Sequence, residues 1–351
     1  MSITRRKFIG TGAAAAAGLT LVPSAVDAAA KLGAPAIIKS KGRPCVVASH
    51  NGLRGVAKAL DQIKGGVDPL DAVIAGVNIQ ELDPEDDSVG LGGLPNEDGV
   101  VQLDASCFHG PTKRAGAVGA LEDIATPSLV AKAIMDYTNH IFLVGAGAKK
   151  FALEMGFKEQ NLLTEKSRQN WLRWKANLNA NDNWLDHKDD VAIKFTTGTI
   201  PMLGVTPSGD IASVVTTSGL SWKIPGRVGD SGVVGAGQYC DNAVGAAGST
   251  GRGESNIKIC GAFFIVELMR QGMPPHDACL KALERVVATT EARLLDANGR
   301  PKFDLQYYAV SKDGTFGSAT LWEGAQFAVA DSDGARAEKC AFMFSKAQKA
   351  G

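Results

Sequence analysis

The chain predicts a layered α+β fold, on three observations. Apolar runs of strand length recur along it, segments with apolar residues at helical spacing lie between them, and 45% of its 351 residues are hydrophobic. Strand faces and helix stripes both need covering, so sheets and helices must pack on one another, in one large domain or two small ones. The 37 basic and 37 acidic residues cancel. That balance leaves no footprint for nucleic acid or an anionic membrane, and a neutral or zwitterionic small-molecule substrate is expected.

Residues 1–30 read as a targeting segment. Thr4-Arg-Arg-Lys-Phe-Ile9 is a twin-arginine signature, an Ala-rich apolar region follows, and Ala28-Ala-Ala30 offers small residues to a signal peptidase. The apolar part falls short of the ~20 residues a bilayer needs, so export to the periplasm is expected rather than a membrane anchor.

Residues 44–49 (Pro-Cys-Val-Val-Ala-Ser) read as a strand. Asp68 and Pro69 then cap and open a helix that places Leu70, Val73, Ile74 and Val77 on one face. Residues 100–105 and 115–121 are strand candidates, and Pro127-Ser128 opens a helix with Leu129, Ala133, Ile134 and Tyr137 on its stripe. Ile141-Phe-Leu-Val-Gly-Ala-Gly147 has the strand and Gly-x-Gly turn of a dinucleotide site, but Lys150 stands where the third glycine is needed, which argues against that reading. The polar stretch 160–190, with Trp171, Trp174 and Trp184, reads as a loop or frayed helix, or in its first half as a helix packing its tryptophans on the body. A helix is expected over 257–270 and another from Pro274-Pro275, then strands at 305–310, 315–321 and 326–330, the first two joined by the hairpin turn Lys312-Asp-Gly314. Six scattered cysteines lack a CxxC pair and read as buried apolar residues. The five histidines lack zinc-site spacing, so no metal is implied.

The stretch 195–205 (Phe-Thr-Thr-Gly-Thr-Ile-Pro-Met-Leu-Gly-Val) carries the most chemistry, because Thr199 follows Gly198 at the head of an apolar run. The run reads as a strand, paired with a second at 211–215 across Thr206-Pro-Ser-Gly-Asp210, and Thr216 to Gly219 end the hairpin. If the bond before Thr199 breaks, one residue holds a hydroxyl and an α-amine that titrates near 7.7–8.0, a nucleophile with its own base.

Residues 217–231 (Thr-Ser-Gly-Leu-Ser-Trp-Lys-Ile-Pro-Gly-Arg-Val-Gly-Asp-Ser), with Gly235-Ala-Gly237 and Gly248-Ser-Thr-Gly251, resemble the glycosylasparaginases, which are threonine N-terminal-nucleophile amidohydrolases. Residues 83–93 (Asp-Pro-Glu-Asp-Asp-Ser-Val-Gly-Leu-Gly-Gly), Asp98-Gly99 and Leu103-Asp-Ala105 are similar to the same family's first half. The resemblance implies a four-layer αββα sandwich matured by autocleavage of Gly198-Thr199, with an α-chain of residues 31–198 and a β-chain of 199–351. It also implies no cofactor and a dimer of cleaved αβ units.

By position, the resemblance makes Thr199 the nucleophile and Thr217 a second threonine that tunes its amine. Thr250 and Gly251 become the oxyanion hole, and Arg227 and Asp230 the grip on the substrate's α-carboxylate and α-ammonium. Two departures bear on self-cleavage and on specificity. Gly198 and Thr197 stand where the glycosylasparaginase branch has Asp and His, Gly being what the plant-type asparaginase and isoaspartyl peptidase branch carries. His50 stands where a substrate-contacting tryptophan is expected, as a substrate-binding residue or a hydrogen-bonded strand-end residue. The implied activity is hydrolysis of N4-(β-N-acetylglucosaminyl)-L-asparagine. The alternatives are an isoaspartyl peptidase or L-asparaginase, or a non-catalytic periplasmic solute-binding protein.

Overall fold

A computed structural model describes residues 42–178 and 197–349. The targeting segment and residues 179–196, Trp184 of the polar stretch among them, lie outside them. Thirteen strands among these residues form two sheets. The larger runs β12 (Gly334–Lys339), β11 (Gln326–Asp331), β1 (Cys45–Ser49), β5 (Thr197–Val205), β6 (Ile211–Leu220), β2 (Gln102–His109), β3 (Arg114–Glu122) and β4 (Phe142–Val144). The smaller runs β13 (Ala341–Phe344), β10 (Phe316–Trp322), β9 (Leu305–Ser311), β8 (Gly245–Gly251) and β7 (Gln238–Asp241).

Three buried cores separate the layers. Val46 and Ala48 of β1 join Met202 of β5 in packing under α1 (Leu53–Lys64), α2 (Pro69–Glu81) and α3 (Pro127–Tyr137). The alternate residues Cys45 and Val47 face Leu203, Tyr308, Val310 and Phe316 in the core between the sheets. Strands covered on both faces cannot alternate apolar with polar, which is why β1 reads as one apolar run. On the far side of the smaller sheet, Tyr307 and Ala309 pack against α7 (Gly261–Arg270) and α8 (Pro275–Ala288), which supply Ile265, Val266, Ala282 and Leu283. The result is a mixed α+β fold with helices outside two facing sheets, as the sequence predicts.

Local chemistry sets the boundaries. The Asp68 carboxylate accepts the Leu70 N–H at 2.8 Å, with Pro69 in the first turn. Polar residues 165–176 form a helix, α5 (Glu165–Ala176), where a loop is one of two expectations. Its Trp171 donates to the Glu97 carbonyl at 3.1 Å and its Trp174 stacks on Trp222 with ring centroids 5.2 Å apart, as the packed-helix alternative requires.

Several expectations need correction. The helix expected over 257–270 is two pieces, α6 (Gly253–Ile257) and α7, broken at Cys260, whose φ of 48° is left-handed. Tyr137, placed on an apolar stripe, is 72% exposed at the end of α3. The hairpin does not end at Thr216, because β6 runs to Leu220 and keeps Thr217 inside the ladder. Strand Phe142–Val144 does lead into α4 (Gly145–Glu154), and β4 is an edge strand parallel to β3. All six cysteines are free, and all except Cys260 are buried.

Candidate active site

Thr199 and Thr217 face each other across the β5–β6 ladder, at a register shift between Gly198 and Thr199. The Thr199 hydroxyl donates to Thr217 Oγ1 at 3.0 Å. Thr217 in turn donates to the Gly198 carbonyl oxygen at 2.6 Å and accepts the Gly219 N–H at 2.8 Å. Attack by Thr199 on the preceding peptide bond places negative charge on that carbonyl oxygen, and the Thr217 hydroxyl already points at it. On the other side of the chain, Ser49 at the end of β1 donates to the Thr199 carbonyl at 3.1 Å.

Gly198 is dictated by its neighbour. A Cβ built there falls 1.7 Å from Ser88 Cβ, so no larger residue fits while Ser88 stays in place. The loop carrying Ser88, residues 83–93, is pinned to β6 by the Ser218 N–H and hydroxyl, each 2.9 Å from the Ser88 carbonyl oxygen. An aspartate at 198 is therefore incompatible with this loop, which accounts for the departure noted in the sequence. The Thr197 side chain lies outside the described residues.

A small concave site at these strand ends is lined by Thr199, Thr217, Gly219, Arg227, Asp230 and Gly251, among others. Arg227 and Asp230 line it together without pairing as one salt bridge. The Arg227 guanidinium binds Glu254 Oε1 through Nε at 3.0 Å and Nη2 at 2.9 Å. Burial pushes the Glu254 carboxyl up, but the Arg227 guanidinium, a backbone hydrogen bond and the Arg252 charge together hold the group below the usual carboxylate range. Asp230 is 6% exposed, and its Oδ2 accepts from Ser249 at 2.6 Å and Asn256 at 2.7 Å. Burial raises its pKa despite both hydrogen bonds and the nearby Arg227 charge. The loop between them is fixed from below, since Asp104 Oδ2 accepts the Gly229 N–H at 3.0 Å.

Not every sequence-predicted residue joins this lining. Thr250, next to Gly251 in β8, has its hydroxyl 2.8 Å from the Tyr308 hydroxyl. His50 is exposed in the short helical turn His50–Gly52 after β1 and does not line the site. Sequence reading missed the supporting residues. Lys223 is buried and donates to the carbonyls of Gln102 at 2.7 Å and Ser218 at 3.1 Å, and burial pushes its ammonium pKa down. Glu81 is fully buried, accepting from Thr216 at 2.6 Å and Ser128 at 2.7 Å. Its signal was available, because a glutamate four residues after Val77 continues the apolar stripe of α2, where an unpartnered charge is rare. Gly248-Ser-Thr-Gly251 is the end of strand β8.

The family model described as asparaginase matches residues 29–299. An N(4)-(beta-N-acetylglucosaminyl)-L-asparaginase of Elizabethkingia miricola is 37% identical over 97% of this chain and 96% of its own length. The Mus musculus protein of that name is 34% identical over 73% of this chain and 80% of its own. An Arabidopsis thaliana protein named "Probable isoaspartyl peptidase/L-asparaginase 3" is 30% identical over 85% and 90%. The chain belongs to the glycosylasparaginase family of asparaginases.

Proposed function

We propose that this protein is an amidohydrolase that cuts its own chain at Gly198-Thr199 and then hydrolyses the side-chain amide of N4-(β-N-acetylglucosaminyl)-L-asparagine. One observation carries the reading: a hydroxyl relay from Thr199 through Thr217 to the Gly198 carbonyl, at 3.0 and 2.6 Å. In the precursor, Thr199 Oγ attacks the Gly198 carbonyl carbon and the C–N bond to Thr199 breaks, the nitrogen taking up the hydroxyl proton to become a free amine; water then opens the ester, releasing the Gly198 carboxylate and restoring the Thr199 hydroxyl. In the mature enzyme that amine takes the Thr199 hydroxyl proton as Oγ attacks the substrate amide. The glycosylamine departs with a proton, and water hydrolyses the acyl-enzyme to release aspartate. Arg227 holds the substrate's α-carboxylate and Asp230 its α-ammonium, with Gly251 and Thr250 facing the growing oxyanion. Export by the twin-arginine route to the periplasm, an N-terminal-nucleophile sandwich and a dimer of αβ units belong to the same reading.

A second substrate class, β-aspartyl peptides or free asparagine, is favoured by Gly198 wedged against Ser88 and by the Arabidopsis relative's printed name. Denaturing electrophoresis and intact mass of the purified protein test the first step. Two fragments split before Thr199 support it, and an unbroken active chain overturns it. Hydrolysis rates on glycosylasparagine against β-aspartyl dipeptides then decide the substrate.

A further inference from the structure

Tyr308 is enclosed by the apolar core between the sheets, among Val47, Val205, Phe316 and Phe327, and is 1% exposed. Among the described residues, its hydroxyl is hydrogen-bonded to Thr250 Oγ1 at 2.8 Å. Burial raises its pKa well above that of a free phenol, so it keeps its proton at any working pH. A buried hydroxyl hydrogen left without an acceptor is costly, and among the described residues the phenol makes no hydrogen bond except the one to Thr250. The phenol must therefore donate and Thr250 must accept. The Thr250 hydrogen is thereby turned away from Tyr308 and left free for another acceptor.

That acceptor lies toward Thr199. Gly248 is turned to Pro201, a Cβ at 248 falling 2.6 Å from Pro201 Cβ. Thr250 is two residues along β8 on the same face, and Thr199 is two residues from Pro201 along β5. Gly251 and Thr199 line one site, so the two strand ends lie on the same side.

We propose that Tyr308 is a positioning residue that fixes the polarity of the Thr250 hydroxyl, making it a hydrogen-bond donor to the oxyanion of the acyl-transfer step. This rests on the amidohydrolase reading above. Tyr308 does not touch substrate; it acts by donating to a Thr250 lone pair, which leaves the Thr250 hydrogen to point elsewhere. Without it, the Thr250 hydrogen can turn into the vacated space, and part of the enzyme presents a lone pair to the growing negative charge.

The test uses full-length protein bearing Tyr308→Phe, Thr250→Val, or both, with Tyr308→Met as a second apolar variant should Phe fold poorly. Tyr308→Phe is expected to lower kcat by roughly 10- to 100-fold, part of the loss that removing an oxyanion donor outright produces, with KM changed less than about threefold. In the Thr250→Val background the same substitution costs nothing further, because the hydroxyl it orients is gone. A merely structural role lowers thermal stability without that coupling. Wild-type kcat in both Tyr308 variants, or losses that multiply in the double variant, overturns the proposal. Turnover by Thr199→Ala strikes the parent reading instead, and a Tyr308 effect coupled to Thr250 leaves that reading standing.

Discussion

The Thr217 hydroxyl sits 2.6 Å from the Gly198 carbonyl oxygen while accepting the Thr199 hydroxyl hydrogen at 3.0 Å. One side chain thus touches both groups that the proposed self-cleavage would bring together, the Thr199 hydroxyl and the Gly198 carbonyl. Its position follows from ladder register, since β6 continues past Thr217 and the shift at Gly198 sets the two threonines opposite each other. With Gly198 and Thr197 in place of Asp and His, a hydroxyl from the neighbouring strand contacts the Gly198 carbonyl.

Thr217→Val keeps the strand and its volume but removes this donor. Self-cleavage should slow by about 10²- to 10³-fold, the usual loss for a donor aimed at a developing oxyanion. Thr217→Ser should retain most of the rate. A time course of intact mass after synthesis reads both, and undiminished cleavage in the Val variant removes Thr217 from the step.

The Gly198–Ser88 contact makes a paired prediction. Gly198→Ala places a methyl 1.7 Å from Ser88 Cβ, and backbone carries both partners, so the loop or the strand must move. Melting temperature should fall and cleavage should slow, since overpacking a tight site costs about 1–3 kcal/mol and misplaces the scissile bond. Ser88→Gly in the same chain removes the Cβ but leaves the Ser88 Cα 2.6 Å from the new methyl, so it should restore only a part of both. No rescue by Ser88→Gly means that something else excludes a side chain at 198.

Much of this was legible in the sequence. The β5–β6 hairpin, the helix from Pro69 and the strands at 305–331 declare themselves by apolar runs, turn residues and caps, and Thr199, Thr217, Arg227, Asp230 and Gly251 converge on one site. What stayed hidden has physical causes. Strand β8 is Gly-Ala-Ala-Gly-Ser-Thr-Gly, with little β-propensity of its own, and forms because β9 and Pro201 of the facing sheet demand small residues there. Helix α1 is amphipathic but lacks a side-chain cap to announce it. Glu254, Asn256 and Tyr308 reach the site only through tertiary contacts, which no local pattern encodes.

Arg227 is held by Glu254 from outside while facing the site beside Asp230. Arg227→Ala should raise KM by on the order of 10²-fold or more, because it leaves a substrate carboxylate without its charge-assisted partner, and should leave self-cleavage intact. Glu254→Gln keeps the shape but loosens the guanidinium, and a smaller rise of roughly 3- to 10-fold is expected. Initial-rate kinetics on cleaved enzyme measure both, and an Arg227→Ala variant with unchanged KM refutes the grip.

Glu81 gives a pH prediction whose sign is fixed by burial. Desolvation raises its pKa in the folded protein above the ordinary glutamate value, although Thr216, Ser128 and Asn78 all donate to it. In unfolded chain it titrates near 4.3. Between that value and the raised folded value, the folded state binds more protons than the unfolded state. Stability must therefore fall as pH rises through this window, with the contribution fully present below about 4.3 and lost above the folded pKa. Glu81→Gln cannot ionise, so it should flatten this part of the curve, whatever offset its altered hydrogen bonds add. Because Thr216 adjoins Thr217, the same variant should also shift the rate of self-cleavage modestly, by less than about tenfold. Denaturant unfolding of both proteins from pH 4 to pH 7 makes the comparison. Parallel curves across that range mean that the native carboxyl carries no proton the unfolded chain lacks, and the buried Glu81 network must then hold a charge.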